Sequence, residues 1–193
     1  VGGAILFSRN IQSAQQVVEL NTEIVHACSP AYPALISVDQ EGGRVARLRG
    51  ICTDIPDMRT VGKASEENPD LPYRLGALMA RELSALGFHL DFAPVIDVDT
   101  NPDNPVIGER AFSHDPQAVA RHGVEFIRGM QQSGVAACGK HFPGHGDTQT
   151  DSHFDLPLIS HPLSRLETIE LQPFRAAVEA QVASIMTAHV MFP

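Results

Sequence analysis

Short apolar runs that each break off into a polar cluster, with amphipathic helical stretches between them, set the architecture of this chain. Gly3-Ala4-Ile5-Leu6-Phe7 is the first run. Ala34 to Val38 ends in Asp39-Gln40-Glu41-Gly42-Gly43-Arg44, and Phe88 to Ile96 ends in Asp97. Val135 to Cys138 spills into Lys140-His141-Phe142-Pro143-Gly144-His145-Gly146-Asp147-Thr148, then Asp151-Ser152-His153; Ser184 to Ala188 ends in His189. The runs are near-continuous rather than alternating, which predicts strands buried on both faces. Polar side chains massed at the exit of a buried strand are costly to fold and are usually kept for chemistry.

Helical periodicity fills the gaps. Ser13–Cys28 carries Val17, Leu20, Ile24 and Val25 on one stripe, and Asp70–Leu86 carries Leu71, Leu75, Leu78, Met79 and Leu83. Asp115–Gln132 opens with an N-cap and a proline at the first helical position. Glu167–Ala180 is expected as one helix, and the polar, proline-bearing stretch from Arg59 to Pro72 as a connection. Strands alternating with helices predict a parallel α/β sheet. The placement of the polar residues at strand exits points to a (β/α)₈ TIM barrel, whose site is built at the C-terminal face. No G-x-G-x-x-G follows the first strand and no G-x-x-x-x-G-K-[ST] occurs, so dinucleotide and nucleoside triphosphate readings lose their support. A complete barrel takes ~250 residues. The 193 residues, opening on Val1 and closing on Met191-Phe192-Pro193, are therefore expected to be a single-domain piece of a longer barrel covering about five strands.

Composition narrows the function. A net charge of −9 argues against a nucleic-acid partner. No apolar run approaches the ~20 residues of a membrane span. Cys28, Cys52 and Cys138 are widely spaced, without C-x-x-C, and read as free thiols of a reducing, cytoplasmic compartment.

The motif series Val38-Asp39-Gln40-Glu41-Gly42-Gly43-Arg44-Val45, Asp91 to Val98, Ile107-Gly108-Glu109-Arg110-Ala111-Phe112, Lys140 to Thr148 with Asp151-Ser152-His153, and Met186-Thr187-Ala188-His189-Val190 resembles that of the family 3 glycoside hydrolases. More narrowly it resembles their bacterial β-N-acetylglucosaminidase (β-hexosaminidase) branch, which works in peptidoglycan recycling. The resemblance implies a retaining enzyme acting on terminal β-linked N-acetylglucosamine, with no cofactor or metal. It makes His153 the acid/base, with Asp151 as its partner. Such a dyad is chemically reasonable, because a histidine titrates near neutrality and a neighbouring carboxylate fixes its tautomer. The resemblance also implies a sugar-binding set of Asp39, Arg47, Arg110, Lys140 and His141. The family's nucleophile, an aspartate well beyond the Met-Thr-Ala-His-Val motif, is expected outside these residues, so the chain alone is expected to lack glycosidase activity.

Other readings of the same residues stay open. Asp91 and Asp97 suit backbone hydrogen bonding, His145 suits loop ordering, and Glu41 with Arg44 suits a local salt bridge. His189 fits a substrate pocket as well as a core hydrogen bond. A barrel metallohydrolase could use His141, His145, Asp151, His153 and His189 as ligands, although His-x-x-x-His here falls on a glycine and proline loop rather than a helix. A glycoside phosphorylase of the same family and an inactive carbohydrate-binding protein are the remaining alternatives.

Overall fold

A computed structural model describes residues 2–149 and 157–191. Its centre is a five-stranded parallel sheet with strand order β1-β2-β5-β6-β7. The strands are β1 (Gly3–Leu6), β2 (Leu35–Val38), β5 (Leu90–Asp91), β6 (Ala136–Phe142) and β7 (Ser184–Thr187). A small antiparallel pair, β3 (Gln40–Gly42) and β4 (Val45–Ala46), grows directly out of the end of β2. The helices are α1 (Ala14–Ala27), α2 (Met58–Ser65), α3 (Leu71–Ala85), α4 (Pro116–Gln132), α5 (Leu163–Thr168) and α6 (Leu171–Glu179). Among the described residues the sheet is open, with β1 and β7 at its edges.

Local sequence explains where the elements start and stop. The Ser13 hydroxyl accepts from Gln16 N–H at the start of α1, and the Asp115 carboxylate accepts from Gln117 and Ala118 N–H at the start of α4. Both are N-caps that satisfy otherwise orphaned donors. The Phe88–Ile96 run is regular strand only at Leu90–Asp91, yet it keeps following β6: Cys138 N–H donates to Ala93 O at 2.8 Å and Ile96 N–H to Lys140 O at 2.8 Å. That continuation carries Asp97 to the same end of the sheet as Lys140.

Three expectations need correction. The polar stretch from Arg59 to Pro72 contains a helix, α2, capped by Asp57, whose carboxylate accepts from Thr60 N–H at 2.8 Å. Met58 and Val61, three apart, are its buried stripe. Glu167–Ala180 is two helices, not one. Pro173 has no N–H and would clash with the carbonyl of Ile169 in a continuous helix, so the chain turns at Ile169 before α6 begins. Finally, β2 is not buried along its whole length: Ile36, Ser37 and Val38 are buried, whereas Leu35 at its start is 54% exposed.

The core fills the space between sheet and helices with Ile36, Leu83, Phe88, Phe126, Ile127 and Met130. Its tightest seam joins α3 and α4. A Cβ at Gly129 would lie 2.1 Å from Tyr73 O, and one at Gly76 would lie 2.4 Å from Phe126 O, so both helices touch backbone to backbone. Gly129→Ala should therefore push the helices apart and cost about 1–3 kcal/mol. Thermal melting of the protein in its full-length form checks this; a drop of about 2–4 °C per kcal/mol is expected.

Candidate active site

The strand exits converge on one cleft of about 530 Å³, to which Asp39, Arg47, Arg110, Lys140, His141 and His189 all contribute. A larger groove of about 830 Å³ lies on the helical side, lined by Ser65, Asp70, His122, Arg128 and Glu179 among others. That groove carries mostly ordinary surface charges, whereas the strand-end cleft holds buried, mutually paired ones. The chemistry therefore belongs to the cleft.

Its floor is an ion network. The Lys140 side chain is only 2% exposed; its ammonium donates to Asp39 Oδ1 at 3.0 Å and lies 2.7 Å from Glu41 Oε1. Arg110 grips the same Glu41 in a fork, Nε to Oε2 and Nη2 to Oε1, both at 2.8 Å. Arg47 reaches Asp39 Oδ2 only at 3.9 Å, too far for a hydrogen bond. A buried charge is tolerable only when paired and hydrogen-bonded. Glu41 thus pairs with two cations from distant segments and not with its neighbour Arg44, whose guanidinium donates to Val106 O instead. The expected local salt bridge does not form, because the β3–β4 turn directs Glu41 inward and leaves Arg44 exposed.

Asp97 organises the opposite wall. Fully buried, it accepts from the N–H groups of His141 (3.1 Å) and His145 (2.7 Å) and binds His141 Nδ1 at 2.7 Å. This holds the His141 ring by Nδ1 and leaves Nε2 as its other polar atom. The His145 ring turns to Thr148 Oγ1 at 2.7 Å. Asn104 ties the neighbouring loop across, donating to His145 O at 2.8 Å. The loop lies so close to the Asp97 segment that a Cβ on Gly146 would fall 1.8 Å from Val98 O. Asp91 is also backbone-bound, accepting from Gln40 N–H at 2.9 Å. Arg59 of α2 holds Asp99 at 2.6 Å and Ala111 O at 3.3 Å, bracing the turn that presents Arg110. His189 is exposed and lines the cleft. Asp151 and His153 lie outside the described residues. Among the described residues no group of three or more His, Cys, Asp or Glu is arranged to hold a metal ion.

Sequence reasoning missed Glu41 as a member of the site. A carboxylate two residues after Asp39, in a turn with paired glycines, was the available signal.

Electrostatics follow the geometry. Burial would raise the Glu41 pKa, but Lys140 and Arg110 outweigh it and lower it to about 2. Burial would lower the Lys140 pKa, but Glu41 and Asp39 raise it instead. Asp91 goes the other way. Burial pushes it well above the carboxylate range, Asp39 and Glu41 add to that, and its Oδ2 has no hydrogen-bond partner. Of the carboxyls in this group, Asp91 is the one whose ionisation burial opposes most. A carboxylate with a depressed folded pKa stabilises the fold above its unfolded pKa and loses that contribution as pH falls through the folded value. Above the ordinary value of 4.5, intact Glu41 should therefore make the protein about 3 kcal/mol more stable than Glu41→Gln. The gap should close as pH falls from 4.5 toward about 2, measured as paired denaturant melts across that window.

Comparison with known proteins matches this arrangement to a family. The description "Glycosyl hydrolase family 3 N terminal domain" fits residues 1–193. A β-hexosaminidase of Thiobacillus denitrificans is 47% identical over the whole chain, which covers 54% of that protein. The structure of a glycoside hydrolase family 3 β-N-acetylglucosaminidase from Paenibacillus sp. superposes with a TM-score of 0.95 at 45% identity, over all of this chain and 37% of that one. NagZ from Neisseria gonorrhoeae, in complex with N-trifluoroacetyl-D-glucosamine, gives 0.93 at 39% identity, over all of this chain and 56% of that one. The chain spans about half the length of the curated relatives it matches. With the motif series, the parallel sheet and the strand-end cleft in agreement, the chain belongs to glycosyl hydrolase family 3, within its N-terminal domain.

Proposed function

We propose that these residues form the sugar-binding part of a retaining β-N-acetylglucosaminidase that removes terminal β-linked N-acetylglucosamine, with peptidoglycan fragments as the natural source. The observation that carries this reading is the unspent hydrogen-bonding capacity of the ion network. Among the described residues, Lys140 uses two of its three donors, on Asp39 and Glu41. Arg110 there uses three of its five, on Glu41 and on Val106 O at 3.0 Å. Asp39 there accepts one hydrogen bond and is 17% exposed. Fixed donors beside a fixed acceptor at a cleft floor suit vicinal hydroxyls, each of which gives and takes a hydrogen bond. Relatives of this chain are named β-hexosaminidases, and one related structure holds a glucosamine derivative. The three free thiols favour a reducing, cytoplasmic location.

The reaction proceeds in two displacements. A carboxylate nucleophile attacks the anomeric carbon, while His153 in its protonated form, with Asp151 as its dyad partner, gives its proton to the departing glycosidic oxygen. His153, now neutral, takes a proton from water, which attacks the glycosyl ester and releases N-acetylglucosamine with retained configuration. Asp39, Lys140, Arg110, Arg47 and His141 hold the ring so that this attack is in line.

Two measurements test the reading, both on the full-length protein. Asp39→Asn, which removes a charged acceptor, should raise KM for an aryl N-acetylglucosaminide about tenfold to hundredfold. No turnover by the wild-type protein, or unchanged KM in the variant, would overturn the sugar-site assignment. His153→Ala should cut turnover about 10²–10⁴-fold on substrates with poor leaving groups and far less on activated aryl glycosides. Equal losses on both would remove His153 from the acid role, and loss of wild-type activity to a chelator would favour a metallohydrolase.

A further inference from the structure

The role of Glu41 goes beyond a buried counter-ion. Its side chain is 3% exposed and its two oxygens take three hydrogen-bonding contacts, one from Lys140 and two from Arg110. Lys140 comes from the end of β6, Arg110 from the turn at Gly108–Arg110, and Glu41 from β3. Among the described residues Glu41 is the carboxylate that contacts both cations, and it so sets their separation. Oε1 is shared, 2.7 Å from Lys140 Nζ and 2.8 Å from Arg110 Nη2. Two cations drawn to one oxygen must face the cleft side by side, where alone they would repel each other. The arginine fork adds direction, since a bidentate pair fixes the plane of the guanidinium.

We propose that Glu41 is a positioning residue for sugar recognition: it holds the Lys140 ammonium and the Arg110 guanidinium at one fixed spacing, so that both reach hydroxyls of a single bound ring. In this role Glu41 acts through those two side chains. The inference rests on the sugar-site reading above.

Glu41→Gln keeps the size and one acceptor but loses the charge, and its amide nitrogen faces an arginine donor. The spacing then relaxes. The charged and titratable groups left around Lys140 are Asp39 at the end of β2, Arg110 on its turn, Asp91 on β5 and Cys138 on β6. Of these, Asp39 is the carboxylate in direct contact with the ammonium, at 3.0 Å. Losing Glu41 therefore lets Lys140 release its proton at lower pH than in the wild type, by the loss of an opposite charge.

The test is binding of N-acetylglucosamine to the full-length protein, by calorimetry, from about pH 6 to about pH 10. Glu41→Gln is expected to bind about tenfold or more weakly at neutral pH, the loss that goes with a charge-assisted hydrogen bond. Its affinity should also fall away at lower pH on the alkaline side. Gly129→Ala, which destabilises the helix seam instead, should bind as the wild type does, separating lost positioning from lost stability. If Glu41→Gln gives no cooperative melt, Glu41→Asp takes its place; its carboxylate is drawn back by one methylene, so the same weakening is expected without the pH change. Wild-type affinity in whichever Glu41 variant folds would overturn the inference and leave the sugar site standing. Failure of the wild-type protein to bind N-acetylglucosamine would overturn both.

Discussion

A lysine ammonium placed almost wholly out of solvent at a strand end is the constraint on which this site depends. Left alone, the Lys140 charge would cost several kcal/mol to bury. Only carboxylates delivered by other parts of the chain make it tolerable, and Asp39 and Glu41 do so from the far side of β5. The parallel register of β2, β5 and β6 brings these strand ends level. The antiparallel β3–β4 turn then folds Glu41 back over the sheet, and the turn carrying Arg110 closes against it. Pairing the lysine and assembling the cleft are one event.

Asp97 is a second anchor of a different kind. It holds backbone as well as a ring, and so fixes the path of the chain between His141 and His145. Burial opposes its ionisation, yet the nearby His141 and three hydrogen bonds keep its pKa below the usual value. The anion is thus spent on shaping a loop, while Asp39 stays partly exposed at the cleft. Chemically identical carboxylates take separate roles here because of what surrounds them.

Much of this was legible in the sequence for a plain reason. A buried strand that ends in Lys140-His141 or Asp39-Gln40-Glu41 pays a visible energetic cost, and side chains that repeat every three or four residues leave a readable stripe. The strands, α1, α3 and α4 therefore stand close to where periodicity put them. What was illegible depended on partners distant in sequence. Glu41 lies three residues from Arg44, and local reasoning favours that pair; only the fold reveals that Arg110, 69 residues on, takes the carboxylate. α2 hid among polar residues because eight residues leave little room for a stripe. The break before α6 could have been read from Pro173, since proline and the carbonyl four residues earlier cannot share a continuous helix.

The close approach of Gly146 to the Val98 carbonyl divides the cleft into two grades of evolvability. In the wall that Asp97 organises, any side chain at position 146 would displace the fixed loop, and on the floor Glu41, Lys140 and Arg110 are each held by the others. Change there must be concerted to be tolerated. At the rim, Arg44 and His189 are exposed and carry no such mutual obligation. Diversification in this lineage, by nature or by directed evolution, should therefore accumulate at the rim, while the interlocked floor is inherited intact.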